Sequence, residues 1–102
     1  MRLKRMRVDD NQADIVEALR AAGVQVRVMS DVGGGFPDLL CKHRRTGNLL
    51  LLEVKDGSKP PSDRKLTALE EKFAKVWPVH IVLDERDALR ACGIEICDQE
   101  GK

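Results

Sequence analysis

Aromatic residues are scarce in this chain: two Phe, one Trp and no Tyr make up 3% of its 102 residues. Apolar content is ordinary at 42%, so Val, Leu and Ile must build the core. That core is small, and one domain covering residues 1–102 is expected, since compact domains commonly run about 100–150 residues. Charge of one sign is missing as well. A net charge of +1 excludes a general basic coat that binds nucleic acid by charge alone. The three cysteines, Cys41, Cys92 and Cys97, are odd in number and lack Cys-x-x-Cys spacing. That speaks against a disulfide framework or a zinc site and fits reduced thiols in a cytosol. No apolar run is long enough to cross a membrane, and Met1-Arg2-Leu3-Lys4 is not followed by a signal-peptide core. A soluble, cytoplasmic protein is expected. No Ser–His–Asp set is evident, no cysteine is paired with a histidine by motif, and no repeat or low-complexity tract appears.

What is present gathers between Gly33 and Lys55, GGGFPDLLCKHRRTGNLLLLEVK. Leu49 to Lys55 reads as a strand, an apolar run buried on both faces that turns alternating at its end. Alternation sends Glu53 and Lys55 to one face and Leu52 and Val54 to the other. A carboxylate and an ammonium at the end of a buried strand need each other, a metal or a ligand. Pro37 fixes the entry to a shorter strand, with Asp38 at its mouth. If the two strands pair as an antiparallel hairpin through the polar turn Lys42 to Asn48, Asp38 meets Glu53. Two acids and one lysine then converge.

The rest of the chain falls into regular elements. A helix is expected from about Asp9–Asn11 to Ala22, stopped by Gly23, with Ile15, Val16, Leu19 and Ala22 as its apolar stripe. Glu17 lies opposite that stripe, while Gln12 and Asp9 project on the stripe side. Val24 to Met29 alternates as a first strand, with Val24, Val26 and Val28 on one face. Gly33, Gly34 and Gly35 are not a P-loop, since no Gly-Lys-Ser/Thr follows. They fit a loop that delivers Asp38 to a nucleic-acid backbone, or an ordinary surface loop. Ser58 to Pro61 is a stiff linker. A second helix is expected over Asp63 to Val76, capped by Ser62 or Asp63, burying Leu66, Leu69, Phe73 and either Val76 or Trp77, and ended by Pro78. Lys59, Arg64 and Lys65 then sit at a helix N-terminus, which favours phosphate; they read equally as solvated cations. Val79 to Leu83 forms a fourth strand, and Asp84 caps a last helix, Glu85 to Ala91, before Gly93. Residues 1–8 and 94–102 are expected to be flexible ends. Basic runs at Arg2, Lys4, Arg5 and Arg7 and at Lys42, His43, Arg44 and Arg45 read equally as nucleic-acid contacts or as a basic terminus and a solvated hairpin tip. His80 reads as structural.

Pro37-Asp38, fourteen intervening residues, then Glu53-Val54-Lys55 resembles the PD-(D/E)XK nuclease superfamily. The chain looks most like a small stand-alone member of its VRR-NUC group, of the type found in bacteriophages. The matching segments are NQADIVEALRAAG, GGGFPDLL, LLEVKDG and KLTALEEKF, spanning roughly residues 8 to 90. The αβββαβ(α) order agrees with that superfamily's restriction-endonuclease-like core, an α/β mixed sheet flanked by helices. The resemblance implies a Mg²⁺- or Mn²⁺-dependent DNA endonuclease that leaves a 5′-phosphate and is selective for branched DNA. It also implies a role in phage replication, recombination or packaging, inside a bacterial host and alongside a helicase or terminase partner. Asp38 and Glu53 would hold the metal with the main-chain carbonyl of Val54, since hard oxygen ligands suit these ions. Lys55 would orient the attacking water or stabilise the transition state. The resemblance adds Gln12 or Asp9 on the first helix, and Glu70 within Leu66-Thr67-Ala68-Leu69-Glu70, beside the site. Simple capping accounts for Asp9 equally well. Gly34, Gly35, Lys59, Arg64 and Lys65 are the nucleic-acid contacts it suggests, and a domain this small is expected to act as a homodimer. The alternatives are a catalytically silent nucleic-acid-binding module of the same fold and a non-nuclease α/β partner protein.

Overall fold

The computed structural model describes residues 10–96. Asp9, Cys97 and most of the two expected flexible ends therefore lie outside the described residues. Helix α1 (Asp10–Ala21) is followed by strands β1 (Val26–Val28), β2 (Leu39–Lys42) and β3 (Leu49–Val54). A 3-10 turn over Pro61–Arg64 then leads to α2 (Ala68–Val76), β4 (Val79–Val82) and α3 (Glu85–Ala91). The strands form one sheet in the order β1-β2-β3-β4, antiparallel except for the parallel pair β3–β4. A parallel pair needs a crossover, and α2 supplies it. Among the described residues the result is an α/β fold with a four-stranded mixed sheet and three helices.

One face of the sheet carries the core. Leu39 and Cys41 of β2, Leu52 and Val54 of β3, and Val82 of β4 are buried with Ile15, Val16 and Leu19 of α1 and Ala88 of α3. The expected α1 stripe is thus the buried face, and Glu17 is exposed as its angle requires. Both covering helices end alike. Gly23 and Gly93 each take a positive φ of 87°, and the next residue's N–H reaches back five positions, Val24 to Leu19 O and Ile94 to Leu89 O, each at 2.9 Å. This is the Schellman closure that glycine permits at no steric cost.

The other face departs from expectation. Leu49 is 69% exposed and Leu51 only partly covered, so the leucine run is not buried on both faces as its composition suggested. Val28 is also exposed, and β1 is shorter than the expected 24–29. Helix α2 begins at Ala68, not at Asp63, and buries none of its residues fully. Leu69, Val76 and Trp77 are exposed, while Leu66 and Phe73 are half-buried. The physical reason lies in Thr67-Ala68-Leu69-Glu70, a capping box: the Thr67 hydroxyl accepts from Glu70 N–H at 3.2 Å and Glu70 Oε1 accepts from Thr67 N–H at 2.9 Å. It satisfies the orphan amides of a helix starting there, leaving Ser62 and Asp63 in the preceding 3-10 turn. Asp84 and α3 fall where the sequence put them, with Asp84 Oδ1 accepting from Asp87 N–H at 2.9 Å.

Candidate functional site

The β2–β3 register pairs Leu39 with Leu52, so the residues just beyond, Asp38 and Glu53, stand opposite each other. Asp38 is fixed at both ends. Its carbonyl accepts from Met29 N–H at 2.7 Å, and its Oδ2 accepts from Val54 N–H at 2.9 Å. Fully buried Pro37 sets the approach. Glu53 leaves the sheet on the face away from the core, as alternation demands, yet is only 3% exposed, because α2 overhangs this end. Lys55, two residues on, points the same way. Its Nζ donates to Glu70 Oε1 at 2.9 Å and lies 3.6 Å from Glu53 Oε2. Asp38, Glu53, Lys55 and Glu70 therefore form one cluster drawn from two strands and a helix.

Electrostatics in the cluster follow from burial and crowding. Glu53 is pushed up to about 8, first by burial and then by the charges of Asp38 and Glu70, with Lys55 offsetting only part. Asp38 is raised too, chiefly by burial, although the Val54 amide and the neighbouring Glu53 carboxyl pull the other way. Both carboxyls therefore hold a proton more readily than free ones do. Burial works against the charge of Lys55, but the hydrogen bond and charge of Glu70, then those of Glu53, outweigh it and raise its pKa. Burial likewise opposes ionisation of Glu70, but the Thr67 amide and Lys55 lower it on balance. Lys55 is a cation held in place, not a base.

Two carboxylates that crowd each other suit a hard cation. Among the described residues no three His, Cys, Asp or Glu side chains group as metal ligands, but Mg²⁺ characteristically uses one or two carboxylates and fills its sphere with water and phosphate oxygen. The donor set fits such an ion.

No known protein family, curated protein or solved structure gives a match to the chain.

Other expected residues are placed differently. Gln12 is 5% exposed on α1, as its stripe position implies, and its Nε2 donates to Ser30 Oγ at 3.0 Å. Gly35 serves packing: a Cβ there would stand 2.5 Å from the Leu69 carbonyl oxygen, so the glycine loop can lie directly against α2. Gly34 is exposed with open space around it. Lys59, Arg64 and Lys65 precede α2 by several residues and do not occupy its N-terminus, contrary to expectation, because the capping box starts the helix at Ala68. Lys59 and Lys65 are exposed, whereas the Nε of Arg64 is buried without a hydrogen-bond partner.

Asn11 is the residue the sequence undersold. Expected only to mark the start of the first helix, it donates from Nδ2 to the carbonyls of Lys55 at 3.0 Å and Leu83 at 3.2 Å. It ties together the ends of β3 and β4 just where Lys55 leaves the sheet. No local pattern announces this, because the bonds span 44 and 72 residues. The capping box was legible as Thr-x-x-Glu.

Proposed function

We propose that this chain is a metal-dependent DNA endonuclease of the PD-(D/E)XK type, hydrolysing phosphodiester bonds. The observation that carries the reading is the juxtaposition of Asp38 and Glu53 across β2 and β3, with the Lys55 ammonium 3.6 Å from Glu53 on the same face. Phosphodiester hydrolysis is slow enough that enzymes must supply roughly 10⁶–10¹⁷-fold or more, and charge placed where it develops is the commonest large contribution. Asp38 and Glu53 would hold Mg²⁺ or Mn²⁺, completed by the Val54 carbonyl. When bound, such an ion supplies polarisation of the phosphoryl oxygen and acidification of a water. Lys55, kept protonated by Glu70, serves as a donor that orients water or neutralises the pentacovalent phosphorus. Glu70 acts through Lys55 and does not touch substrate. The Val54 amide prevents Asp38 from rotating out of the site. Lys59, Arg64 and Lys65, before α2, and Gly34 in the loop would meet the DNA backbone.

Branched DNA as substrate, a phage setting and a helicase or terminase partner belong to the same proposal. So does a homodimer. A groove of about 350 Å³ lined by Phe36, Leu40, Leu49, Leu51, Phe73 and Trp77 gives a second copy apolar surface to cover.

The test is cleavage of end-labelled linear, flapped, single-stranded and four-way DNA with Mg²⁺, Mn²⁺ or EDTA, comparing wild type with Lys55→Ala. Metal-dependent cleavage that disappears in the variant supports the nuclease. Cleavage that survives it sinks this site. Tight binding without cleavage assigns the chain instead as a silent binding module.

A further inference from the structure

The β2–β3 hairpin tip, residues 42–48, lies at the far end of the hairpin from the carboxylates and is built rigidly. His43 N–H donates to Asn48 O at 2.7 Å, and Gly47 N–H donates to His43 O at 2.9 Å. His43 Nδ1 accepts from the amides of both Arg45 and Thr46, at 3.2 and 3.1 Å. Its ring lies directly against Gly93, where any Cβ would collide with it. Arg44 N–H donates to Cys92 O at 2.7 Å, which docks the tip on the end of α3. His43 is thus spent on architecture, its Nδ1 taken up by two backbone amides and its ring by the contact with Gly93.

The side chains that this scaffold presents are cations. Lys42, Arg44 and Arg45 are exposed and make no ion pair with Asp or Glu among the described residues. They line an open polar depression of about 410 Å³ with Gly23, Gln25 and Thr46. The Arg44 guanidinium crosses Gly23 at the C-terminal end of α1, where the helix dipole favours a positive charge. Three cations within four residues repel one another, and a fixed turn denies them the freedom to spread. An anionic partner that is itself extended relieves this best.

We propose that the hairpin tip is a grip for the phosphate backbone of nucleic acid, with Lys42, Arg44 and Arg45 as its contacts. The sheet register links it to the carboxylates. Asp38, Leu40 and Lys42 alternate onto one face, and Arg27 joins them by pairing with Leu40. Four residues of strand separate Asp38 from Lys42, about 13 Å, comparable with the roughly 12 Å width of the B-DNA major groove. One bound duplex reaches both. That last step rests on the nuclease reading; the grip itself does not.

The experiment is fluorescence anisotropy of a labelled 30-mer, duplex and single-stranded, in EDTA across about 50–200 mM salt. Wild type is compared with Lys42→Gln/Arg44→Gln/Arg45→Gln, and with Lys72→Gln/Lys75→Gln on α2 as a control for net charge. Each lost phosphate contact lowers the slope of log affinity against log salt by about 0.9 on duplex and 0.7 on single strands. The triple variant is expected to lose roughly 2.7 and 2.1 units of slope respectively, with circular dichroism and Tm unchanged. An unaltered slope, or an equal loss per charge in the control, overturns the grip. Because no metal is present, the binding result stands whether or not the protein cleaves DNA.

Discussion

Lys55 sits closer to Glu70 than to Glu53: its Nζ is 2.9 Å from Glu70 Oε1 and 3.6 Å from Glu53 Oε2. That same Glu70 oxygen closes the capping box by accepting from Thr67 N–H. One atom therefore starts helix α2 and anchors the lysine of the candidate site. Helix position and lysine position cannot vary independently.

Substitutions at Glu70 separate these two duties. Glu70→Gln retains a capping side chain and removes the charge, so thermal stability should change little while metal-dependent cleavage falls. Glu70→Ala loses the cap as well, costing about 1 kcal/mol and about 4–8 °C in Tm. Equal Tm values for the two variants would dissolve the double role.

Lys55→Ala should reduce the rate constant for cleavage by about 10²–10³-fold, the range for removing one group aimed at developing charge. DNA affinity measured in EDTA should remain near wild type. A large loss of affinity with little loss of rate would make Lys55 a binding residue.

Glu53 gives the metal-free protein a pH dependence. Its pKa in the fold, about 8, lies above the ordinary 4.5, so the fold favours the protonated carboxyl. The stability this contributes is complete below about pH 4.5 and is lost as pH rises through 8. In EDTA, Tm should fall by at least about 4 °C between pH 5.5 and 8.5, roughly 1 kcal/mol for a domain of this size. Added Mn²⁺ should restore more stability at pH 8 than at pH 5.5, because it takes the place of the proton. Glu53→Gln should flatten the pH profile and abolish the Mn²⁺ effect. A flat profile in wild type would show that Glu53 ionises freely.

Asn11→Ala removes both bonds to the ends of β3 and β4. Two carbonyls left without that donor predict a loss of about 1–3 kcal/mol, read by urea unfolding. Hydrogen exchange should quicken first at the amides around Lys55 and Leu83. Uniform exchange across the sheet would mean that Asn11 acts only on α1.

Gly35→Ala tests the glycine loop. The residue has φ of 85° and its Cβ would meet the Leu69 carbonyl, so both strain and a clash oppose the methyl group. The loop should lift from α2, with a loss of about 1–3 kcal/mol. Gly34→Ala, with φ of 65° but open space, should cost less. Equal effects would leave only backbone strain.

Much of the site was readable from the linear chain because strands obey a period of two. Once Leu49–Val54 is a strand, Glu53 and Lys55 must share a face. Once residues 39–52 form a hairpin, Asp38 must face Glu53. The α1 stripe and the α3 cap were local patterns as well. Helix α2 is less buried than its pattern predicts, because Leu69 and Phe73, with Leu66 before the helix, carry the helical spacing of a core face. Spacing reports which residues share a side, not whether anything covers it.

The sequence alone therefore determined which side chains share a face along each element, the hairpin that sets Asp38 opposite Glu53, and the order of helices and strands. Tertiary structure decided what lies across the gaps between elements. Glu70 reaches Lys55 because a capping box sets where α2 begins, and Asn11 clamps two strand ends more than forty residues away. Such contacts depend on how helices lie over the sheet, and that is settled by packing of the whole core.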